Sequence, residues 1–122
     1  MRDIIDYKRV INAARYSANG FGHLLRHEAA FRQEVALFAI LLVLGWVLDF
    51  SFGDQCLQVT LMCFVLVTEA LNTAIENIVD RISVERHQLS GTIKDIGSAA
   101  VVIAFVPLLL FWVYAIASIA LA

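Results

Sequence analysis

Residues 96–122 read IGSAAVVIAFVPLLLFWVYAIASIALA, the longest segment of the chain without a charged residue or a histidine. An α-helix needs about 20 apolar residues to cross the roughly 30 Å hydrocarbon core of a bilayer, so this segment is long enough to span one. Of all 122 residues, 61% are hydrophobic and 16% are charged, with a mean hydropathy of +0.79. A soluble domain of this size buries only about two-thirds of its surface, so the composition indicates a membrane protein and excludes a disordered chain.

Two shorter uncharged segments precede this span, at residues 35–48 and 55–68. The first becomes long enough if Arg32 and Glu34 extend their charged ends to the membrane interface. The second continues with helical periodicity through polar residues to about Ile82. The sequence therefore predicts three transmembrane helices.

The first 26 residues form a different kind of segment. Apolar residues recur there at spacings of three and four, from Ile4 through Tyr7 and Ile11 to Leu25, while charged residues fall elsewhere. Low overall hydrophobicity with such a stripe is typical of a helix in the membrane interface, although a soluble helix packed on a partner is the alternative. We predict one all-α membrane domain, residues 1–122, with an amphipathic helix at about 4–26, transmembrane helices at 29–50, 54–83 and 92–121, a tight turn at 51–54 and a break at 90–92.

The basic residues predict the orientation of the chain. Among the nine Lys and Arg residues, Arg81, Arg86 and Lys94 lie between the uncharged segments of the second and third spans, and all the others precede the uncharged segment of the first span. None lies in the 49–54 turn or in the C-terminal tail. The positive-inside rule therefore places the N-terminus and the 81–94 link in the cytoplasm and the C-terminus outside. With a formal net charge of −2 and no basic tail, no nucleic-acid partner is expected.

Polar residues within the second span share one face of the helix. Glu69, Asn72, Glu76 and Asp80 fall within about 80° of the helix circumference, and the opposite face is apolar. We refer to these four residues as the polar stripe. Polar side chains inside a membrane are costly, so the stripe must face other helices or a water-filled cavity and is a candidate functional site.

Depth along the stripe separates the chemistry that each carboxylate suits. Glu69 and Glu76 lie about 10.5 Å apart along the helix axis, too far to hold one ion together. The deeper Glu69 suits proton transfer, whereas Glu76 suits a hard divalent cation that arrives with phosphate. Glu28, at the mouth of the first span, is well placed as a second ligand. Asp80 could join that ion or pair with a nearby cation such as Lys94.

The spacing alone leaves two classes of function open. Intramembrane carboxylates serve both enzymes and proton-coupled transporters, and a small transporter with Glu69 as its proton carrier fits the stripe equally well. The common Gly-rich phosphate-binding motifs do not occur in the sequence, so nucleotide chemistry would need another type of site.

The residues of the stripe resemble a known family. Residues 69–80, EALNTAIENIVD, are similar to the signature of the small bacterial integral-membrane diacylglycerol kinases, a family that also includes undecaprenol kinases. The resemblance covers about residues 7–115 and includes, in order, Tyr16-Ser17, EAAFRQE at 28–34, HQLSG at 87–91 and KDIGSAA at 94–100. The last two segments resemble the diacylglycerol branch.

The resemblance implies an activity and an assembly. The activity is transfer of the γ-phosphoryl group of MgATP to the primary hydroxyl of 1,2-diacylglycerol, which gives phosphatidic acid and ADP; a kinase for undecaprenol or another lipid alcohol is the alternative. The implied partners are diacylglycerol, ATP and membrane lipid, and the implied cofactor is Mg²⁺. The implied assembly is a homotrimer in the bacterial inner membrane, whose active sites are shared between subunits near the cytoplasmic face.

The resemblance also implies roles for individual positions. Glu69 matches the general base that takes the proton of the lipid hydroxyl, Asn72 orients Glu69 or the phosphoryl group, and Lys94 is the phosphate clamp. Glu28 and Glu76 match the magnesium ligands. The positions implied around ATP are Arg9, Tyr16, Glu28, Glu76, Glu85, Arg86, His87, Lys94 and Asp95. The positions implied around the lipid are Arg9, Ala13, Ala14, Ser17, Arg32, Glu34, Glu69 and Ser98.

Overall fold

The structure, a computed structural model, describes residue 4, residues 6–82 and residues 88–122. Over these residues the chain forms four α-helices: α1 (Tyr7–His27), α2 (Ala29–Val47), α3 (Phe52–Ile82) and α4 (Gln88–Ala120). Within the same residues, α2, α3 and α4 are long and apolar enough to cross a membrane. The prediction of an all-helical chain with three candidate membrane spans is confirmed.

The first helix lies apart from the core. It begins after Asp6, whose carboxylate accepts a hydrogen bond from the backbone N–H of Arg9 at 3.2 Å, as an N-cap does. Its main contacts are with α2, where Phe21 packs edge-to-face on Phe31 with 5.5 Å between the ring centroids. No residue of α1 is buried, and apolar side chains such as Ile11 are exposed. A single chain therefore leaves the apolar stripe of this helix uncovered.

Glu28 forms the junction between α1 and α2. Its backbone is extended, with φ −113° and ψ 103°, so that it ends the first helix and begins the second. Arg32, one turn into α2, donates from Nη1 to the carbonyl oxygens of Leu25 and Arg26 at 3.1 and 2.9 Å. These bonds satisfy carbonyls that the end of α1 would otherwise leave unpaired, which fixes the direction of α2 relative to α1.

The turn between α2 and α3 lies about three residues earlier than predicted. Asp49 adopts a left-handed φ of 62°, a conformation that ends a helix and that Asp tolerates better than most residues. The following helix already begins at Phe52, because Ser51 Oγ accepts a hydrogen bond from the backbone N–H of Asp54 at 3.1 Å. Residues 48–51 thus form the turn, and the predicted turn residues 52–54 belong to α3.

The predicted break at residues 90–92 is wrong. Helix α4 begins at Gln88 and runs through Gly91, and Thr92 Oγ1 donates to the carbonyl oxygen of Gln88 at 3.1 Å within the first turn. One glycine weakens a helix by only about 1 kcal/mol, which is too little to end a helix of 33 residues. The helix also continues through Pro107.

Helix α3 lies in the centre of the bundle, because it packs against both α2 and α4. The buried core joins Met62 and Val65 of α3 to Phe38 of α2 and to Ala104, Leu108, Phe111 and Trp112 of α4.

A chain of buried hydrogen bonds crosses this core near the α2–α3 turn. Gln58, which is fully buried, donates to Gln55 Oε1 at 2.8 Å and accepts from Trp112 Nε1 at 2.9 Å. Gln55 in turn donates to the carbonyl oxygen of Leu42 at 3.4 Å. The amide nitrogen of Gln55 lies 2.7 Å from where a Cβ of Gly45 would be, so only glycine permits this close approach. The network therefore sets the register of three helices.

Replacing Gln58 with Leu is expected to lower the free energy of unfolding by about 1–2 kcal/mol, because Gln55 Oε1 and Trp112 Nε1 then stay buried without a partner. Unfolding of the purified protein in mixed micelles, titrated with SDS, measures this change. Thr60→Val is the matched control on the same helix, since the exposed Thr60 hydroxyl donates to the carbonyl oxygen of Cys56, one turn earlier in α3. Equal stability of the two variants would contradict a role for the network.

Candidate functional site

The polar stripe faces the other helices over most of its length. Glu69 is 8% exposed, Asn72 and Glu76 are half-buried, and only Asp80 at the end of the stripe is exposed. The opposite face of α3 is exposed at Leu71, Ile75 and Ile78. The prediction that the stripe faces other helices is therefore confirmed at Glu69.

At the deepest level of the stripe, two carboxyl groups from different helices lie side by side. Glu34 of α2 is buried, and its carboxyl group is close enough to that of Glu69 for a side-chain hydrogen bond. Within the described residues, Glu34 Oε2 has no hydrogen-bond partner. Buried polar atoms are normally paired, so this oxygen marks a position where the protein can receive a ligand group.

The contact between Glu34 and Glu69 also shows where Glu28 and Glu76 lie along the axis of the bundle. Contacts of Gln55 with Gly45 and of Glu69 with Glu34 show that α2 and α3 run antiparallel. Glu28 lies about 9 Å along the axis from Glu34, and Glu76 about 10.5 Å from Glu69, towards the same end of the bundle. The Glu28 side chain makes no capping hydrogen bond to α2. Glu28 and Glu76 therefore lie at about the same depth, at the end of the bundle where α1 joins α2.

Asn72 and Lys94 connect the stripe to α4. The amide of Asn72 lies so close to Gly97 that a Cβ there would collide with Asn72 Oδ1. Nearer the end of the bundle, Lys94 Nζ donates to Asp80 Oδ1 at 2.8 Å, and the charge of Glu76 lies nearby. Asp80 thus takes one of its two expected roles, the ion pair. Both side chains are well exposed, at 43% for Lys94 and 61% for Asp80, so this pair can be exchanged for another partner.

The expected site residues of α1 lie on its exposed surface. Arg9, Tyr16, Ala13 and Ala14 are all exposed, and the hydroxyl of Ser17 donates to the carbonyl oxygen of Ala13 at 2.9 Å. In the described part of a single chain, α1 contacts mainly α2, so these side chains are not gathered around the polar stripe.

The other expected residues fall into three groups. Asp95 and Ser98 are exposed on α4, beside Lys94 and Gly97. Arg32 is engaged with the carbonyls at the end of α1. The three positions expected near ATP in the link, Glu85, Arg86 and His87, lie outside the described residues.

Two residues beside the polar stripe were not predicted from the sequence. Thr73, one turn after Glu69, is 5% exposed and lies on the same face as the stripe. It lies only about 40° from Glu69 around the helix, so the helical period alone could have placed it on this face. The position of Gly97 could not be predicted in this way, because its contact with Asn72 depends on the register between α3 and α4.

In the described residues, no three His, Cys, Asp or Glu side chains gather into a metal site. Glu28 and Glu76, at about the same level of the bundle, are nevertheless carboxylates of the kind that bind divalent cations. Mg²⁺ is commonly bound by one or two carboxylates, with phosphate oxygens and water completing its shell. The donor set of this chain fits a cation that arrives together with a phosphate ligand.

Comparison with known proteins identifies the family. The family model for prokaryotic diacylglycerol kinase matches residues 15–116. The chain belongs to the prokaryotic diacylglycerol kinase family. It is 45% identical over 105 residues to a diacylglycerol kinase of Pseudomonas aeruginosa, covering 86% of this chain and 85% of that protein. It is 42% identical over 106 residues to the diacylglycerol kinase of Escherichia coli, covering 87% of each. The diacylglycerol kinase of Helicobacter pylori is 36% identical over 107 residues, covering 87% of this chain and 83% of its own length.

Glu34→Gln is expected to leave the free energy of unfolding unchanged or to raise it by up to about 1 kcal/mol, because it removes one of two adjacent carboxyl groups and keeps the shape. Glu34→Ala is expected to lower it by about 2 kcal/mol, since it opens a cavity and leaves Glu69 unpartnered. Both changes are measured by SDS titration, with Gln33→Ala on the exposed side of α2 as the control. If Glu34→Gln destabilises as much as Glu34→Ala, the two carboxyl groups are not neighbours.

Proposed function

We propose that the protein is a diacylglycerol kinase, which transfers the γ-phosphoryl group of ATP to the primary hydroxyl of 1,2-diacylglycerol and releases phosphatidic acid and ADP. One observation carries this proposal: in a chain of the prokaryotic diacylglycerol kinase family, a helix long and apolar enough to span a membrane carries a row of carboxylates that runs from the buried Glu69 to the exposed Asp80. Such a row brings charged groups to the depth at which a lipid presents its head group.

Glu69 is the general base of the proposed reaction. Its carboxylate takes the proton of the lipid hydroxyl as the hydroxyl oxygen attacks the γ-phosphorus. The bond from the γ-phosphorus to the bridging oxygen breaks, and ADP leaves with that oxygen. The burial of Glu69 supports this role, because a carboxylate shielded from water is better placed to accept a proton from a poorly acidic alcohol. Asn72, one turn away, orients Glu69 or the phosphoryl group.

Lys94 and two carboxylates receive the phosphates of ATP. Lys94 exchanges its exposed bond with Asp80 for a phosphate oxygen, and the phosphate is then held by a charge-assisted hydrogen bond. Glu28 and Glu76 would hold Mg²⁺, with Asp80 as a further ligand once Lys94 has left it. Bound magnesium would neutralise charge on the phosphates. Phosphoryl transfer requires mainly that the reacting groups are positioned and that the charge of the phosphates is neutralised, and these residues can provide both.

The remaining expected residues complete the two substrate sites. Those proposed around ATP are Arg9, Tyr16, Glu85, Arg86, His87 and Asp95. Those proposed around the lipid are Arg9, Ala13, Ala14, Ser17, Arg32, Glu34 and Ser98. Diacylglycerol enters laterally from the bilayer, and α1 lies in the interface, where it helps to hold the lipid head group.

The active form is a homotrimer with shared sites. The exposure of the α1 residues supports this assembly, because in one chain Arg9 and Tyr16 lie on a helix that contacts mainly α2. A neighbouring subunit would bring such residues to the stripe of α3. The proposed location is the bacterial inner membrane, with the N-terminus and the 81–94 link in the cytoplasm, where ATP is available, and the C-terminus in the periplasm.

Glu69→Gln is expected to lower diacylglycerol-dependent phosphoryl transfer by at least about 100-fold, because an amide cannot accept the hydroxyl proton. The assay follows label from γ-labelled ATP into phosphatidic acid, with the purified protein in mixed micelles. Asp54→Asn is the matched control, since it makes the same carboxylate-to-amide change in an exposed residue at the other end of α3. It is expected to retain wild-type activity.

Three outcomes of this assay would contradict the proposal in different ways. Full transfer in Glu69→Gln would show that another group is the base. A wild-type protein that phosphorylates undecaprenol better than diacylglycerol, assayed side by side, would be a kinase for another lipid alcohol. A wild-type protein without lipid-dependent ATP turnover would favour the proton-coupled transporter.

Glu76→Gln and Glu28→Gln are each expected to raise the Mg²⁺ concentration for half-maximal activity by roughly tenfold, because each removes one of two charged ligands. The KM for diacylglycerol is expected to stay within about twofold of wild type, since neither residue is proposed to contact the lipid. Initial rates over a magnesium titration measure both effects. An unchanged magnesium requirement in both variants would remove these residues from the metal site.

A further inference from the structure

Gly97 of α4 lies at the closest approach of that helix to the Asn72 side chain. A Cβ at this position would overlap Asn72 Oδ1 and would lie 2.9 Å from Asn72 Cγ and 3.8 Å from Asn72 Nδ2. These three nearest atoms all belong to one side chain, and none belongs to the backbone of α3. A methyl group at position 97 would therefore displace the Asn72 amide before it displaced the helix.

The displaced amide would move within the proposed reaction site. Asn72 is one turn from Glu69 and one turn from Glu76, and its side chain has only two rotatable bonds. Asn72 Oδ1 is buried and, among the described residues, has no hydrogen-bond partner. In the part of the chain that the structure describes, no hydrogen bond fixes this oxygen, and the backbone of α4 at Gly97 limits where the amide can lie.

Gly91, a second glycine of the same helix, has no such close neighbour. Gly91 lies less than two turns away, and a Cβ there would meet nothing within 4 Å. Glycine lowers the stability of a helix interior by about 1 kcal/mol relative to alanine. Neither glycine has a positive φ, so the backbone of α4 does not require glycine at either position. At position 97, however, the close approach of Asn72 leaves no room for a side chain.

We propose that Gly97 is a positioning residue for phosphoryl transfer: its missing side chain allows the Asn72 amide to lie against α4 and to keep its alignment with Glu69. This inference rests on the proposed kinase function. Gly97 has no side chain with which to bind a substrate, so its replacement is expected to change the rate of the chemical step and to leave substrate binding unchanged. The fold tolerates the replacement, because a short side chain can rotate away from a methyl group.

Four variants test the inference in the labelled-ATP assay: Gly97→Ala, Asn72→Ala, the double variant, and Gly91→Ala as the matched control. Gly97→Ala is expected to lower kcat roughly 10- to 100-fold, because small misplacements of a catalytic group cost rates of that order. KM for ATP and for diacylglycerol is expected to stay within about twofold of wild type. Gly91→Ala is expected to keep the wild-type kcat, and neither glycine variant should lose stability in SDS titration.

The double variant separates positioning from packing. In the Asn72→Ala background no amide remains to be displaced, so adding Gly97→Ala is expected to change kcat by less than about twofold. If Gly97→Ala lowers kcat by the same factor in both backgrounds, or lowers stability in both, Gly97 acts through helix packing and the inference is wrong. A wild-type kcat in Gly97→Ala would also overturn it. A wild-type protein inactive on diacylglycerol would instead overturn the proposed function.

Discussion

The bilayer interior offers no water to a polar group, and this constraint determines the rest of the structure. Helix α3 carries carboxylate and amide side chains within a span, so that face must be covered by protein. The helix therefore packs this face against both α2 and α4, and its opposite face stays exposed at Leu71, Ile75 and Ile78. Because both neighbours run antiparallel to α3, Glu34 lies beside Glu69 and Lys94 beside Asp80. Residues far apart in the sequence thus form one polar region.

Two polar regions lie within the same bundle, and their hydrogen bonding distinguishes them. Near the α2–α3 turn, Gln55, Gln58 and Trp112 bond to one another, so this network stabilises the register. Towards the other end, Glu34 Oε2 and Asn72 Oδ1 are buried without partners among the described residues. A satisfied network is typical of structure, whereas unpaired buried oxygens are typical of a site prepared for a ligand. The contrast favours the second region as the place of reaction.

The sequence predicted the features that depend on one helix at a time. Periodicity alone identified the polar stripe and its inward orientation, because both follow from the helix period. The neighbours Glu34 and Glu69, and the approach of Gly97 to Asn72, depend on the register between helices, which no local pattern encodes. The turn was misplaced because the left-handed conformation of Asp49 decides it. The start of α4 was misplaced because a single glycine, Gly91, weakens a helix too little to end it.

The central claim is that α2 meets α3 at the polar stripe, in the register that brings Glu34 to Glu69. Cross-linking of paired cysteines tests it most directly, in a background where the exposed Cys56 and Cys63 are replaced by serine. A short, membrane-permeant reagent that bridges two thiols is expected to link Glu34→Cys to Glu69→Cys within one chain. It is expected to leave Glu34→Cys and Leu71→Cys unlinked, because Leu71 lies on the opposite face of α3. Equal or stronger linking of positions 34 and 71 would contradict the account.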